Sequence, residues 1–72
     1  MYFAKMKISI IGSGIVGQAT GRYLLELGHE VVFMDVLPAT IEKLKTEGLN
    51  ATQNISEALK NSDVAFICVP TP

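Results

Sequence analysis

The hydrophobic and polar positions along this chain follow two patterns in turn, short apolar runs and longer stretches of helical spacing. Apolar runs typical of buried strands occupy residues 7–11, 31–34 and 64–69, with a weaker run at residues 50–53. Helical spacing occupies residues 15–27, then a segment from Pro38 to Gly48, and a short segment from Asn54 to Lys60. The resulting order β-α-β-α-β-α-β predicts a parallel sheet covered by helices on both faces.

The helical segments carry recognisable buried faces and ends. The apolar residues of the first predict one buried face, made of Val16, Ala19, Thr20, Tyr23, Leu24 and Leu27. Gly28 follows the last of these and is expected to end the helix. Pro38 suits the first position of the second helix, which should bury Ile41 and Leu44. Asn54 is expected to cap the third, with Glu57 as its reciprocal partner.

A glycine motif lies between the first strand and the first helix. It matches G-x-G-x-x-G and consists of Gly12, Ser13, Gly14, Ile15, Val16 and Gly17. Gly12 would allow a tight turn, Gly14 would let the backbone approach a pyrophosphate, and Gly17 would let the helix pack closely on the strands. The start of the helix offers free N–H groups to the phosphates.

An acidic residue completes the motif. Asp35 ends the second strand about 20 residues after Gly14, where a carboxylate can accept hydrogen bonds from the adenosine ribose. No Arg follows it, which favours NAD over NADP. The alternative is a plain turn with Asp35 as an ordinary loop residue.

The motif and the element order together predict the fold. With right-handed crossovers, we expect the first half of a Rossmann-type, doubly wound parallel α/β sheet in strand order 3-2-1-4.

Composition excludes several classes of protein. The chain of 72 residues is 49% hydrophobic and 18% charged, with six basic and seven acidic residues. A disordered tail would be more polar, and nucleic-acid binding usually needs a basic surface. No apolar stretch reaches the length of a membrane span, and no segment makes a convincing secretory signal. We therefore expect a cytoplasmic protein.

The residue types that often carry chemistry are sparse. Cys68 is alone, so it cannot form an internal disulfide, and its apolar strand predicts core packing and not catalysis. His29 follows a turn glycine without a second metal-type ligand nearby. We predict no catalytic residue and no metal ligand in this chain.

Three segments together resemble one enzyme family. They are Gly12 to Gly17, Gly28-His29-Glu30-Val31-Val32 leading to Asp35, and Cys68-Val69-Pro70-Thr71-Pro72. In these segments the chain resembles the N-terminal cofactor-binding domain of the nucleotide-sugar dehydrogenases, which act on UDP-glucose, GDP-mannose and related sugars. The last segment is the more discriminating, since the glycine motif is widespread.

The resemblance implies NAD-dependent oxidation of a sugar C6 alcohol to a carboxylate, on a UDP- or GDP-sugar, by a homodimeric parent protein. It places the pyrophosphate near Ile15 and Val16, the ribose at Asp35, and further cofactor contacts at Val69, Pro70 and Thr71. Thr40 stands where the family often has a Lys or Arg that contacts the ribose. Ile15 stands where the family commonly has Tyr, and Leu37 where it has an acidic or amide residue.

The length suggests a part of a larger protein, since domains usually run to about 100–200 residues. We expect residues 1–72 to be the N-terminal part of a dinucleotide-binding domain, without substrate and dimerisation domains and without activity of their own. Two alternatives remain. One is the NAD-binding unit of a hydroxyacid or 3-hydroxyacyl-CoA dehydrogenase, and the other is a non-catalytic NAD-sensing regulatory module.

Overall fold

A computed structural model describes residues 4–69 of the chain. Over this range, strands and helices alternate along the sequence in the predicted order. The elements are β1 (Lys7–Ile11), α1 (Ile15–Glu26), β2 (Glu30–Met34), α2 (Pro38–Thr46), β3 (Asn50–Thr52), α3 (Ile55–Leu59) and β4 (Val64–Ile67).

The strands form one parallel sheet in the order β3-β2-β1-β4. The central strand is β1, where Ile10 lies opposite Phe33 of β2 on one side and Phe66 of β4 on the other. Each connection between parallel strands contains a helix, as the sequence pattern requires. The predicted fold class and strand order are confirmed.

Alternate residues of the strands form two small cores, one on each face of the sheet. The larger core is closed by α2 and consists of Ile8, Ile10, Val31, Phe33, Ile41, Leu44 and Ala51. The smaller core lies under α3 and consists of Ile11, Val32, Met34 and Ala58. Burial on both faces explains why β1 and β2 are apolar at nearly every position.

The face that α1 buries differs from the predicted one. The residues that it buries fully are Gly17 and Gly21. By contrast, Val16, Tyr23 and Leu27 are 68%, 61% and 53% exposed. Glycine carries no apolar side chain to mark a buried face, so the spacing of apolar residues indicated the wrong side of the helix. Of the residues predicted to be buried, Leu24 does pack against the larger core.

Strand β4 is less covered than its sequence suggested. It ends at Ile67, two residues before the predicted end, and all four of its residues are exposed. Phe66, whose ring would fill a sheet face, is 39% exposed. At the other edge of the sheet, β3 buries Ala51 and Thr52 because α2 and α3 pack against it, whereas β4 packs mainly against β1 and no described helix covers it to the same extent.

The helices begin and end at the proline, glycine and asparagine residues that the sequence predicted. Pro38 occupies the first turn of α2, and Gly28 and Gly48 adopt positive φ just after α1 and α2. The side chain of Asn54 accepts a hydrogen bond from the Glu57 N–H, as a cap should. The predicted return hydrogen bond, from the Asn54 N–H to the Glu57 side chain, is not the one formed. The Asn54 N–H donates to the Thr52 hydroxyl instead.

Helix α1 is the longest of the described helices, with 12 residues. No helix in residues 4–69 combines the length and the apolar character needed to cross a membrane. Within the same range, no three His, Cys, Asp or Glu side chains come together as metal ligands would.

Candidate functional site

The turn after β1 passes between the ends of two other strands. The Gly12 N–H donates to the Met34 carbonyl of β2 at 2.9 Å. On its other side, a Cβ added at Gly12 would lie 2.8 Å from the Cys68 carbonyl oxygen, and the residue has φ +96°. Both the conformation and the close approach therefore require glycine at this position.

Ser13 anchors this turn and is completely buried. Its hydroxyl donates to the Met34 carbonyl at 3.0 Å, and its N–H donates to Oδ2 of Asp35 at 2.9 Å. Its carbonyl oxygen accepts from the side-chain amide of Gln18 at 2.9 Å. Each polar group of Ser13 thus has a partner, which fixes the turn to β2 and to α1.

Gly14 differs from the other glycines of the motif. Its φ of −77° suits any residue, and a Cβ added there would meet no atom of residues 4–69 within 4 Å. Neither the φ of this residue nor packing against the described part of the chain accounts for a glycine here. The space beside it is open, which is the arrangement expected where a ligand approaches the backbone.

Helix α1 begins next to that open space. It has no side-chain cap and no acidic residue in its first turn. Ile15 and Val16, the first two residues of the helix, are 91% and 68% exposed. An uncapped helix start presents unpaired N–H groups and the positive end of the helix dipole, both of which attract an anion.

Gly17 allows α1 to lie directly over the turn. A Cβ added at Gly17 would overlap the Gly12 carbonyl oxygen and come within 3.1 Å of the Ile10 side chain. The close packing predicted for this glycine is therefore present, and it holds the helix start at the end of β1.

The carboxylate of Asp35 is fixed by two backbone groups. Oδ2 accepts from the Ser13 N–H, and Oδ1 accepts from the Leu37 N–H at 3.0 Å. Asp35 is half-buried at the end of β2, beside the glycine turn. Because carboxylate oxygens accept more than one hydrogen bond each, both retain capacity for the hydroxyl groups of a ligand.

A cleft of about 180 Å³ opens at this end of the sheet. It lies where β1 and β2 end and where the chain leaves β4, and it is lined by Ile11, Gly12, Met34, Asp35, Val36 and Val69. The lining formed by residues 4–69 is apolar apart from one carboxylate and the backbone. Such a cleft suits a flat ring with an attached polyol, and ligands of parallel α/β sheets bind at this end of the strands.

The structure brings together most of the predicted site residues. Gly12, Asp35 and Val69 line the cleft, and the rest of the glycine motif adjoins it. Thr40 lies in the first turn of α2, outside the described lining. Pro70 and Thr71 lie outside the described residues.

Sequence reasoning missed several residues at this site. Ile11, Met34 and Val36 line the cleft, although each reads as an ordinary strand or turn residue. Their position directly before the glycine turn or beside Asp35 was the available signal. Gln18, which holds the Ser13 carbonyl, gave no signal of its own.

Cys68 and His29 have structural surroundings. Cys68 lies just after β4, is half-buried against the larger core, and donates its N–H to the Ile11 carbonyl at 2.7 Å. His29 lies in the turn before β2, and its Nδ1 accepts from the Met6 N–H at 3.1 Å. Both observations agree with the core and loop positions predicted for these residues.

The sequence matches a known family along almost its whole length. The family model described as "NADP oxidoreductase coenzyme F420-dependent" matches residues 7–72. The chain belongs to this family. Together with the strand order, the match identifies an NAD(P)-binding domain of the Rossmann type.

Curated relatives outside that description are similar as well. The chain is 33% identical to a glycerol-3-phosphate dehydrogenase [NAD(P)+] of Acholeplasma laidlawii, over 92% of this chain and 23% of that protein. It is also 33% identical to a GDP-mannose 6-dehydrogenase of Pseudomonas aeruginosa, over 93% of this chain and 20% of that protein.

Solved structures show the same fold. An imine reductase from a Pseudomonas species has a TM-score of 0.77 and 30% identity, over 92% of this chain and 23% of that one. An imine reductase variant from Myxococcus stipitatus, solved with NAD+, has a TM-score of 0.80 and 26% identity. The chain spans about a quarter or less of the length of these relatives, which differ in their named substrates.

Proposed function

We propose that this chain binds the ADP-ribose half of NAD, with the pyrophosphate at the start of α1 and the adenosine in the cleft beside Asp35. The observation that carries the proposal is the space beside Gly14, which residues 4–69 leave open and which the φ of Gly14 does not explain. The backbone N–H groups of Gly14, Ile15 and Val16 would hold the phosphates. When bound, the cofactor supplies a nicotinamide ring that exchanges hydride with a substrate.

Asp35 supports NAD as the preferred form. Its carboxylate is held in place by the N–H groups of Ser13 and Leu37, so it cannot easily turn away from a ligand. A 2′-phosphate on the ribose would meet this negative charge, and the neighbouring Val36 and Leu37 are apolar and exposed. The family description names NADP, whereas these residues favour NAD.

Calorimetric titration with NAD and NADP tests the preference. We expect NAD to bind at least about tenfold more tightly, a difference of about 1.4 kcal/mol. The double variant Asp35→Ser with Val36→Arg removes the carboxylate and supplies a guanidinium, so it should reverse the order. Asp63→Asn is the matched control, because it removes one carboxylate at the opposite end of the sheet. Equal or tighter binding of NADP by the unaltered protein would overturn the assignment.

The finer proposal concerns the parent reaction. We infer that residues 1–72 are the N-terminal part of the cofactor domain of a nucleotide-sugar dehydrogenase, oxidising a UDP- or GDP-sugar at C6. Several curated relatives at 30–36% identity carry GDP-mannose or UDP-glucose dehydrogenase names, and residues 68–72 fit the same family. The catalytic, substrate-binding and dimerisation parts would then lie in sequence outside these residues.

A substrate assay of the complete gene product tests this proposal. Reduction of NAD should depend on UDP-glucose or GDP-mannose, and residues 1–72 alone should oxidise neither. A second candidate is another NAD-dependent dehydrogenase, favoured by the equal identity to the glycerol-3-phosphate enzyme. Turnover with a hydroxyacid or a polyol phosphate, and none with nucleotide sugars, would select that candidate.

A further inference from the structure

We infer that Gln18 is a positioning residue for the pyrophosphate, which it serves by fixing the peptide group between Ser13 and Gly14. Its side-chain amide donates to the Ser13 carbonyl oxygen at 2.9 Å. Gln18 lies one turn inside α1, so its own backbone is committed to the helix, where its N–H donates to the Gly14 carbonyl. The inference rests on the proposed function of this site.

The direction of this carbonyl decides where the next N–H points. A peptide group is planar and trans, so its C=O and its N–H point in opposite directions. With the Ser13 carbonyl drawn towards the Gln18 side chain, the Gly14 N–H is turned away from that side chain. A rotation of this peptide would present a carbonyl oxygen where an N–H is needed, and an anion would be repelled.

The hydrogen bonds of the Ser13 N–H and hydroxyl do not restrain the peptide group between Ser13 and Gly14. The Ser13 N–H and hydroxyl are held by Asp35 and by the Met34 carbonyl, both on the side of β2. These two bonds restrain the N–H and the side chain of Ser13. The peptide group that joins Ser13 to Gly14 can rotate more easily, because Gly14 has no side chain to hinder it. In the described turn, Gln18 supplies the side-chain bond to that peptide.

The side-chain amide of Gln18 is itself oriented by Arg22, one turn further along α1. The guanidinium of Arg22 donates to Oε1 of Gln18 at 3.3 Å, which leaves the NH₂ group facing Ser13. Arg22 also pairs with Glu47 at 2.8 Å, just after the end of α2. This pair is partly exposed, so its contribution to stability is small, and its effect here is to fix the direction of the Gln18 amide.

Binding of ADP and adenosine separates positioning from general stability. Adenosine uses the cleft alone, whereas ADP also uses the start of α1. Gln18→Met keeps the length of the side chain and removes the donor. We expect it to weaken ADP about five- to tenfold and adenosine less than about twofold. In ¹⁵N NMR spectra, the Gly14 amide of the variant should shift before any ligand is added.

Thr46→Ala is the matched control, because it also removes a side-chain bond to a backbone carbonyl, that of Glu42 in α2. It should leave both affinities unchanged. Unchanged ADP binding by Gln18→Met, or equal losses for ADP and adenosine, would overturn the inference. If the unaltered protein binds neither ligand, the proposed function itself fails, and that outcome is distinct from a failure of the Gln18 inference.

Discussion

Phe33 of β2 and Gly21 of α1 are in such close contact that a Cβ added at Gly21 would lie 2.5 Å from Cζ of the ring. Gly→Ala inside a helix normally stabilises by about 0.5–1 kcal/mol. We expect the opposite sign for Gly21→Ala, a loss of about 1–3 kcal/mol in the free energy of unfolding, because the ring is completely buried and has no room to move.

Urea unfolding of a double-mutant cycle checks this expectation. Phe33→Leu removes the ring atoms that the added methyl group would meet, so Gly21→Ala should cost much less in the Phe33→Leu background. The same loss in both backgrounds would show that the contact between Gly21 and Phe33 is not the cause.

Asp35→Asn should destabilise the protein even before a ligand is considered. Both carboxylate oxygens accept from backbone N–H groups, of Ser13 and Leu37. A carboxamide offers one oxygen, so whichever way it turns, its NH₂ group faces one of these donors. We expect a loss of about 1–3 kcal/mol, measured by urea unfolding.

Asp63→Asn provides the comparison for that variant. In the described part of the chain, Asp63 accepts one backbone N–H through its side chain, that of Lys7 at 2.8 Å. Its amide could present the oxygen to Lys7 and the NH₂ group to solvent, so the loss should stay below about 0.5 kcal/mol. Similar losses for the two variants would contradict the bonding described for Asp35.

Gly12→Ala and Gly48→Ala separate backbone strain from steric overlap. Both glycines have positive φ, at +96° and +81°, but a Cβ at Gly48 would meet no atom of the described residues within 4 Å. Gly48→Ala should therefore cost only the conformational strain of about 1–2 kcal/mol.

Gly12→Ala should cost about 1–3 kcal/mol more, because its Cβ would overlap the Cys68 carbonyl. It should also weaken ADP binding, since the displaced segment at Cys68 and Val69 borders the cleft. Thermal unfolding and ADP titration measure both effects. Equal destabilisation by the two substitutions would mean that the turn can move away from β4 freely.

Strands β1, β2 and β4 could be predicted from sequence because each is a short apolar run, and helix patterns separate these runs along the chain, whereas β3 gave a weaker signal. Once those runs were recognised, the handedness of parallel connections left few arrangements for β1 and β2. The place of Asp35 followed from the same reasoning, since the end of β2 lies beside the end of β1.

Two aspects of the site were beyond sequence reasoning for physical reasons. The buried face of α1 depends on Gly17 and Gly21, which no hydrophobic pattern marks. The bonds of Ser13 and Gln18 depend on the direction of individual peptide groups in a turn, and one sequence is compatible with several such directions. The Asn54 cap could be predicted because it follows a local rule of helix starts, whereas the hydrogen bonds of Ser13 and Gln18 follow no such rule.

The neighbour relationship between β1 and β4 also has a consequence for protein synthesis. The cleft draws on the end of β1, made early, and on Val69, made more than fifty residues later. On the ribosome, this cleft is therefore incomplete until β4 and Val69 have left the exit tunnel and β4 has paired with β1. A nascent chain shortened before β4 would carry the whole glycine motif and yet lack one wall of the cleft.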